Sequence, residues 1–155
     1  MHNQSITIER VANATEINVS SINYLITQLG PDNSIFTKGD LESILSDSNT
    51  YLFIAKDTSI DTIVGMLTLI AYQTPTGRRG YIEDVVVDSN SRGKGIGKSL
   101  VNTAIQQARD LELEFVALTS RPERDIANKL YIGLGFQKKD TNFYRYITQN
   151  SDQSS

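Results

Sequence analysis

Apolar residues recur along this chain at two periods, and the switches between them mark out its elements. Ser5 to Arg10 alternates polar and apolar side chains, the pattern of a short strand with one buried face. Asn13, followed three residues later by Glu16, reads as a capping box. It opens a helix on which Ile17, Ile22, Leu25, Ile26 and Leu29 share one face, and Gly30-Pro31 stops it. Leu41, Ile44 and Leu45 predict a second, short helix started by Asp40. Tyr51–Lys56 and Ile63–Tyr72 read as strands joined by the polar Asp57-Thr58-Ser59, and after the Thr74–Gly77 turn Tyr81–Val87 reads as another.

The period then turns helical. Leu100, Val101, Ala104, Ile105, Ala108 and Leu111 recur at i, i+3 and i+4. Glu114–Thr119 predicts a further buried strand. Pro122 permits a helix start, and Ile126, Ala127, Leu130, Tyr131 and Leu134 line one face until Gly135 ends it. Asn142–Thr148 predicts a last strand, and residues 149–155, rich in Gln, Asn and Ser, are expected to form a disordered tail. With no repeat and no long linker, residues 1–148 are expected to be one domain. The order of elements predicts an α+β fold, a mixed sheet of six or seven strands flanked by about four helices.

Composition narrows the chemistry. The chain has no cysteine, which excludes a disulfide framework, a thiolate metal site and an acyl-cysteine route. Its one histidine, His2, lies at the terminus, so neither a Ser–His–Asp mechanism nor a His-ligated metal is expected. A net charge of -3 argues against general nucleic-acid binding. No apolar run reaches the ~18–20 residues of a membrane span and no signal peptide opens the chain, so a cytoplasmic location with no membrane partner is expected. Arg78, Arg79, Arg92, Lys94 and Lys98 are expected to gather around one loop.

That loop is Arg92-Gly93-Lys94-Gly95-Ile96-Gly97, between the Tyr81–Val87 strand and the long helix. Glycine lets backbone N–H groups turn tightly and approach a ligand. At a helix start those donors lack intrahelical partners and the helix dipole is positive, which makes a cradle for an anion, most naturally phosphate. A P-loop is excluded, because its first glycine would fall at Arg92. The dinucleotide fingerprint fails as well: its last glycine would be Lys98 counted from Gly93, or Leu100 from Gly95.

What remains, R-x-x-G-x-G, resembles the acetyl-CoA signature of the GCN5-related N-acetyltransferases. About thirty residues on, Ala127-Asn128-Lys129-Leu130-Tyr131-Ile132-Gly133-Leu134-Gly135-Phe136 is similar to that family's A-x-x-L-Y-x-x-x-G-F element. The resemblance implies an acyl-CoA N-acyltransferase fold and transfer of an acetyl group from acetyl-CoA to a primary amine, by direct attack and without a metal. It implies a small-molecule or peptide acceptor and allows a homodimer. A non-catalytic acyl-CoA-binding module of the same fold is the alternative.

The family's strand before the glycine loop bulges and splays from its neighbour. Carried over, this puts Val85 N–H at the thioester carbonyl and Val87 on the pantetheine arm, with Val86 between them. Arg92, Gly93, Lys94, Gly95, Ile96, Gly97 and Lys98 would hold the pyrophosphate. Asn128 would bond the cofactor, and Tyr131 would reach its sulfur as general acid. For the general base, strand alternation puts Glu83 on the face of Tyr81 and Val85, and Asp84 on the other face. Family members often place a basic carboxylate on the first of these faces, so the resemblance implies Glu83 as the candidate. Arg121 is a candidate for an acidic group on the acceptor, whose pocket is expected around Gln28–Lys38.

Overall fold

The structure is a computed structural model that describes residues 5–31 and 33–149. It falls into two compact units, Met1–Arg121 and Pro122–Ser155.

The first unit is built on one sheet with strands in sequence order: β1 (Ile6–Arg10), β2 (Thr50–Asp57), β3 (Thr62–Thr74), β4 (Gly77–Val87) and β5 (Val116–Ala117). The first four pair antiparallel and β5 pairs parallel to β4. Between β1 and β2 lie α1 (Val19–Leu29) and α2 (Lys38–Ser46), and α3 (Ile96–Asp110) crosses over from β4 to β5.

The long β3 alternates in two directions. Met66 joins Leu52, Ile54 and Val86 in a cluster with Ile22 and Leu25 of α1 and Leu41 of α2. On the other face, a Cβ at Gly65 would sit 3.2 Å from Leu100 and 3.3 Å from Ile96, so α3 packs there. Leu67, Leu69, Leu100 and Val101 are fully buried. β4 is thus held between α1 and α3 with its register fixed from both faces.

Local chemistry moved several expected boundaries. Asn13 caps only a 3-10 turn, Ala14–Glu16, and α1 starts at Val19, where Asn18 Oδ1 accepts from Ser20 N–H at 3.0 Å. Two Asn side chains compete for the backbone within six residues, and the second wins the helix. α2 starts one turn ahead of Asp40: Thr37 is the N-cap, and Asp40 completes a capping box with it. The Thr37 hydroxyl and N–H hold the Asp40 carboxyl below its ordinary pKa.

The expected basic cluster divides. Arg78 and Arg79 sit at the start of β4, and Arg92, Lys94 and Lys98 follow its end, about 26 Å of strand away at 3.3 Å per residue. Arg78 donates to the carbonyl of Leu111 at the end of α3, at 3.0 Å. Arg79 lies over the Phe115 ring, 5.1 Å from its centroid.

The second unit contains α4 (Asp125–Gly133). The strand expected at Asn142–Thr148 is not formed among the described residues, and Phe143, Tyr144, Tyr146 and Ile147 are exposed. Alternation supplies strand propensity, but a strand exists only where a partner accepts its hydrogen bonds. The sheet therefore has five strands among the described residues, and the expected Glu114–Thr119 strand is regular only at Val116–Ala117. His2 and residues 150–155 of the expected tail lie outside the described residues.

Candidate functional site

The end of β4 carries one residue too many. Met66 stands opposite Val86 and Thr68 opposite Glu83, so Asp84 and Val85 together face Leu67. This is a β-bulge. Asp84 takes the left-handed conformation, φ 53°, which Asp adopts more readily than most residues. The sequence carries a trace of it: Glu83-Asp84 interrupts the alternation between Ile82 and Val86 with two exposed residues in a row.

The bulge decides which backbone groups reach the edge. Gly80 N–H donates to Phe115 O of the segment entering β5, at 2.9 Å, so before the bulge the even-numbered residues point towards β5. After it, Asp88 N–H donates to Val64 O of β3 at 2.8 Å. Alternation carries this back to Val86, whose N–H also turns to β3, and leaves Val87 N–H on the opposite edge, while Val85 lies within the bulge. On that edge the β5 ladder has already ended, at Tyr81–Ala117. At Gly80 the segments pack closely, since a Cβ there would lie 2.8 Å from Val116 and 2.9 Å from Leu113.

The same register corrects the face assignment. Glu83 shares its face with Tyr81 as expected, but Val86, not Val85, joins them after the bulge. Glu83 is exposed. Partial burial, with the neighbouring Asp84 carboxylate adding to it, raises its pKa above the ordinary carboxylate value.

Beyond β4 the chain makes a short 3-10 turn, Ser89–Ser91, and Arg92 folds back so that its Nε donates to Val87 O at 3.3 Å. Gly93 and Gly95 are both left-handed, with φ 80° and 76°. A Cβ on either would meet nothing within 4 Å, so the space beside the loop's backbone is open. Gly95 is the N-cap of α3 and provides no side-chain cap. The first helical bond is Ser99 N–H to Gly95 O, 3.0 Å, which leaves the N–H groups of Ile96, Gly97 and Lys98 without intrahelical acceptors. The Ile96 side chain is buried in the core, so only its backbone faces the cradle. Lys94 and Lys98 are exposed on the same turn. Free donors, a positive helix end and an open lateral space fit a pyrophosphate group.

A second feature of this unit is a groove of about 380 Å³ along α1, lined by Ser20, Asn23, Ile26 and Thr27 together with Gly30 and Ile35 of the following segment. Asn23 holds that segment through two bonds to the Phe36 backbone, each 2.8 Å. Gln28, at the end of α1, does not line this groove and turns instead to Asp88 and Ser89. Arg121 is exposed at the end of the unit.

In the second unit the motif around Tyr131 is a helix terminus. Gly135 N–H donates to Ile132 O and Phe136 N–H to Tyr131 O, both at 3.0 Å, and Gly135 has φ 97°. This is a Schellman motif with Gly135 at C′. Tyr131 is buried at 7% exposure, and burial raises its pKa above the ordinary tyrosine value, with Arg124 opposing. Asn128 is half-buried one turn earlier. Among the described residues no group of three or more His, Cys, Asp or Glu could hold a metal, and no helix is long and apolar enough to cross a membrane.

The chain is similar to known proteins. N-acetyltransferase 8B of Rattus norvegicus is 34% identical over 118 residues, 75% of this chain and 50% of its own length. N-alpha-acetyltransferase 30 of Xenopus laevis is 40% identical over 75 residues, 48% of this chain and 27% of its own. The chain thus spans about half, or less, of the length of these curated relatives. An aminoglycoside acetyltransferase from an uncultured soil metagenomic sample, solved in complex with trehalose, aligns over 96% of this chain and 99% of its own with a TM-score of 0.78 at 25% identity. The profile of the acetyltransferase (GNAT) family matches residues 21–136, from α1 through the bulged strand and the glycine loop to Phe136, and the chain belongs to that family.

Proposed function

We propose that this protein is an acetyl-CoA-dependent N-acetyltransferase that acetylates a primary amine by direct attack. The observation that carries the reading is the bulge at Asp84 and Val85, on a strand whose outer edge β5 has left, next to a helix start with free donors. Relatives named N-acetyltransferase and N-alpha-acetyltransferase, and a structural neighbour named aminoglycoside acetyltransferase, support it.

Acetyl-CoA supplies an activated thioester. The N–H groups of Ile96, Gly97 and Lys98, with the Lys94 and Lys98 ammonium groups, would hold its pyrophosphate. Arg92 closes the loop against Val87 O, Val87 N–H bonds the pantetheine arm, and Asn128 adds a further bond. Val85 N–H meets the carbonyl oxygen as negative charge builds there, a kind of contact worth about 3–4 kcal/mol in other enzymes. Val86 contributes by packing, since its side chain is in the core.

A lysine-like amine is neutral only about one part in 10³ at pH 7, so a base matters. Glu83 takes the proton, directly or through water, and its raised pKa makes it a stronger base than an ordinary carboxylate. Tyr131 gives a proton to the departing sulfur. Burial raises the phenol's pKa, so it is protonated at neutral pH, although the same shift makes it a weaker acid toward the thiolate. The groove along α1 is read as the acceptor side, and Arg121 as a contact for an acidic group on the acceptor. Relatives named N-alpha-acetyltransferase and neighbours named aminoglycoside acetyltransferase keep both peptide and small-molecule amines in view.

The test is thiol release from acetyl-CoA with a panel of peptide N-termini, polyamines, aminoglycosides and amino acids. Turnover with one class and intersecting initial-rate lines are expected, with no acetylated enzyme in the mass spectrum. CoA binding without transfer to any amine would leave a binding module instead.

A further inference from the structure

The glycine loop is tied to the body of the sheet by a side chain sixty residues away in sequence. Gln28 Nε2 donates to Asp88 Oδ1 at 3.1 Å, and Gln28 Oε1 accepts from Ser89 N–H at 2.9 Å. One amide thus engages two consecutive residues at the point where β4 ends and the phosphate loop begins. Asp88 Oδ1 also takes the N–H of Asn90, at 3.5 Å, so the same carboxylate shapes the 3-10 turn leading to Arg92.

The helix bearing Gln28 is well placed to act as a brace. Leu25, one turn earlier, is fully buried, and Ile22 and Leu25 pack in the cluster that contains Val86 of β4. The loop itself is poorly anchored: Gly93 and Gly95 have no side chains, and Lys94 is exposed. Besides the Gln28 pair, its route is fixed by the Ser91 N–H bond to Asp88 O at 2.8 Å, by the Arg92–Val87 contact and by burial of Ser91 and Ile96.

We propose that Gln28 is a positioning residue for the phosphate loop: it aligns the N–H groups at the start of α3 by gripping Asp88 and Ser89, without touching the cofactor. The proposal rests on the reading of that loop as the CoA pyrophosphate site. Its chemistry predicts a specific rescue. Glu at position 28 still accepts from Ser89 N–H but loses the donor to Asp88 and sets two carboxylates together. Asn at position 88 then supplies the missing donor by turning its Nδ2 to the place of Oδ1, which gives up only the long 3.5 Å bond from Asn90 N–H.

The experiment is calorimetric titration of CoA into wild type, Gln28→Glu, Asp88→Asn and the double variant, with acetyl-CoA kinetics alongside. Gln28→Glu is expected to raise the CoA dissociation constant about tenfold, as expected for loss of a charge-assisted bond. The double variant should return to within about threefold of wild type, and kcat at saturating acetyl-CoA should stay near wild type while KM rises. Gln28→Met, equal in length and without either bond, checks the result if Gln28→Glu does not fold. Wild-type affinity in both Gln28 variants, or no recovery in the double variant, overturns the proposal. A wild-type protein that binds no CoA overturns the loop assignment and this inference together, whereas wild-type binding with indifferent Gln28 variants overturns the inference alone.

Discussion

Tyr131 and Phe136 are the C3 and C″ residues of a single Schellman motif, and their rings meet edge to face at 5.8 Å with an interplanar angle of 63°. The backbone bond from Phe136 N–H to Tyr131 O and this ring contact hold the tyrosine from two sides. The Tyr-x-x-x-Gly-Phe spacing therefore has a physical content: Gly135 allows the left-handed turn, the turn brings Phe136 back, and Phe136 fixes the ring of Tyr131.

Two substitutions separate the hydroxyl from its support. Tyr131→Phe keeps the ring pair and should lower kcat by about 10²-fold or more, as loss of a general acid does, with little change in KM for acetyl-CoA. Phe136→Ala keeps the hydroxyl but removes an aromatic pair worth about 0.5–1.5 kcal/mol, so it should lower the melting temperature and cost less in kcat. Steady-state kinetics with thermal melts of both variants check this. A kcat loss below fivefold in Tyr131→Phe would leave Tyr131 as a packing residue.

The glycine loop gives a second prediction. Gly95 has open space beside it, so a side chain there would clash with a ligand and not with the protein. Its φ of 76° adds strain of about 1–2 kcal/mol for any L-residue. Gly95→Val should therefore fold with modestly reduced stability and bind CoA at least tenfold more weakly by calorimetry. Unchanged affinity in a folded variant removes the loop from the cofactor site.

How far the sequence anticipated this site depended on whether local chemistry decided the outcome. The strand–glycine–helix junction was legible because Gly93, Gly95 and the α3 periodicity each impose a local constraint, and all agree. The α4 terminus was legible for the same reason. The Asp84 bulge was half visible, as two polar residues breaking the alternation, but its effect on Val85 and Val86 needs the register with β3. Gln28 gave no signal, because its partners lie sixty residues away and a helix-end glutamine is ordinary. The expected 142–148 strand failed for the opposite reason: its local pattern was clear and no pairing partner decided it.

Gly80 offers a test of the splayed edge. A Cβ there would press on Val116 and Leu113 side chains at 2.8 and 2.9 Å, just where β5 keeps its short pairing with β4. Gly80→Ala should destabilise by about 1–3 kcal/mol, the usual range for overpacking. With so little ladder to resist, β5 should yield before β4 does. Hydrogen exchange should show faster loss of Gly80 N–H protection, with Asp88 N–H protection, which depends on β3, unchanged. Equal loss at both amides would mean that the two edges are not independent.

Glu83 stands across the ladder from Thr68, immediately before the bulge, and its raised pKa allows a test of both function and stability. A carboxyl whose folded pKa exceeds its unfolded value binds its proton more tightly when folded. That stabilising contribution is fully present below the unfolded pKa and is lost as pH rises through the folded pKa. Relative to Gln, which never ionises, ionised Glu83 is thus a burden on the fold at neutral pH. Glu83→Gln should melt at or above the wild-type temperature at pH 7, and the difference should shrink as pH falls below the ordinary carboxylate range. Its rate should fall most near neutral pH and recover in part at higher pH, where more acceptor is already neutral. Asp84→Asn should show no such recovery, since Asp84 is the bulged residue and its role is conformational. Paired pH–rate profiles and melts of the two variants are the measurement. A uniform loss for Glu83→Gln at every pH would make Glu83 a positioning group, and base-like behaviour in Asp84→Asn alone would transfer the role to the bulge.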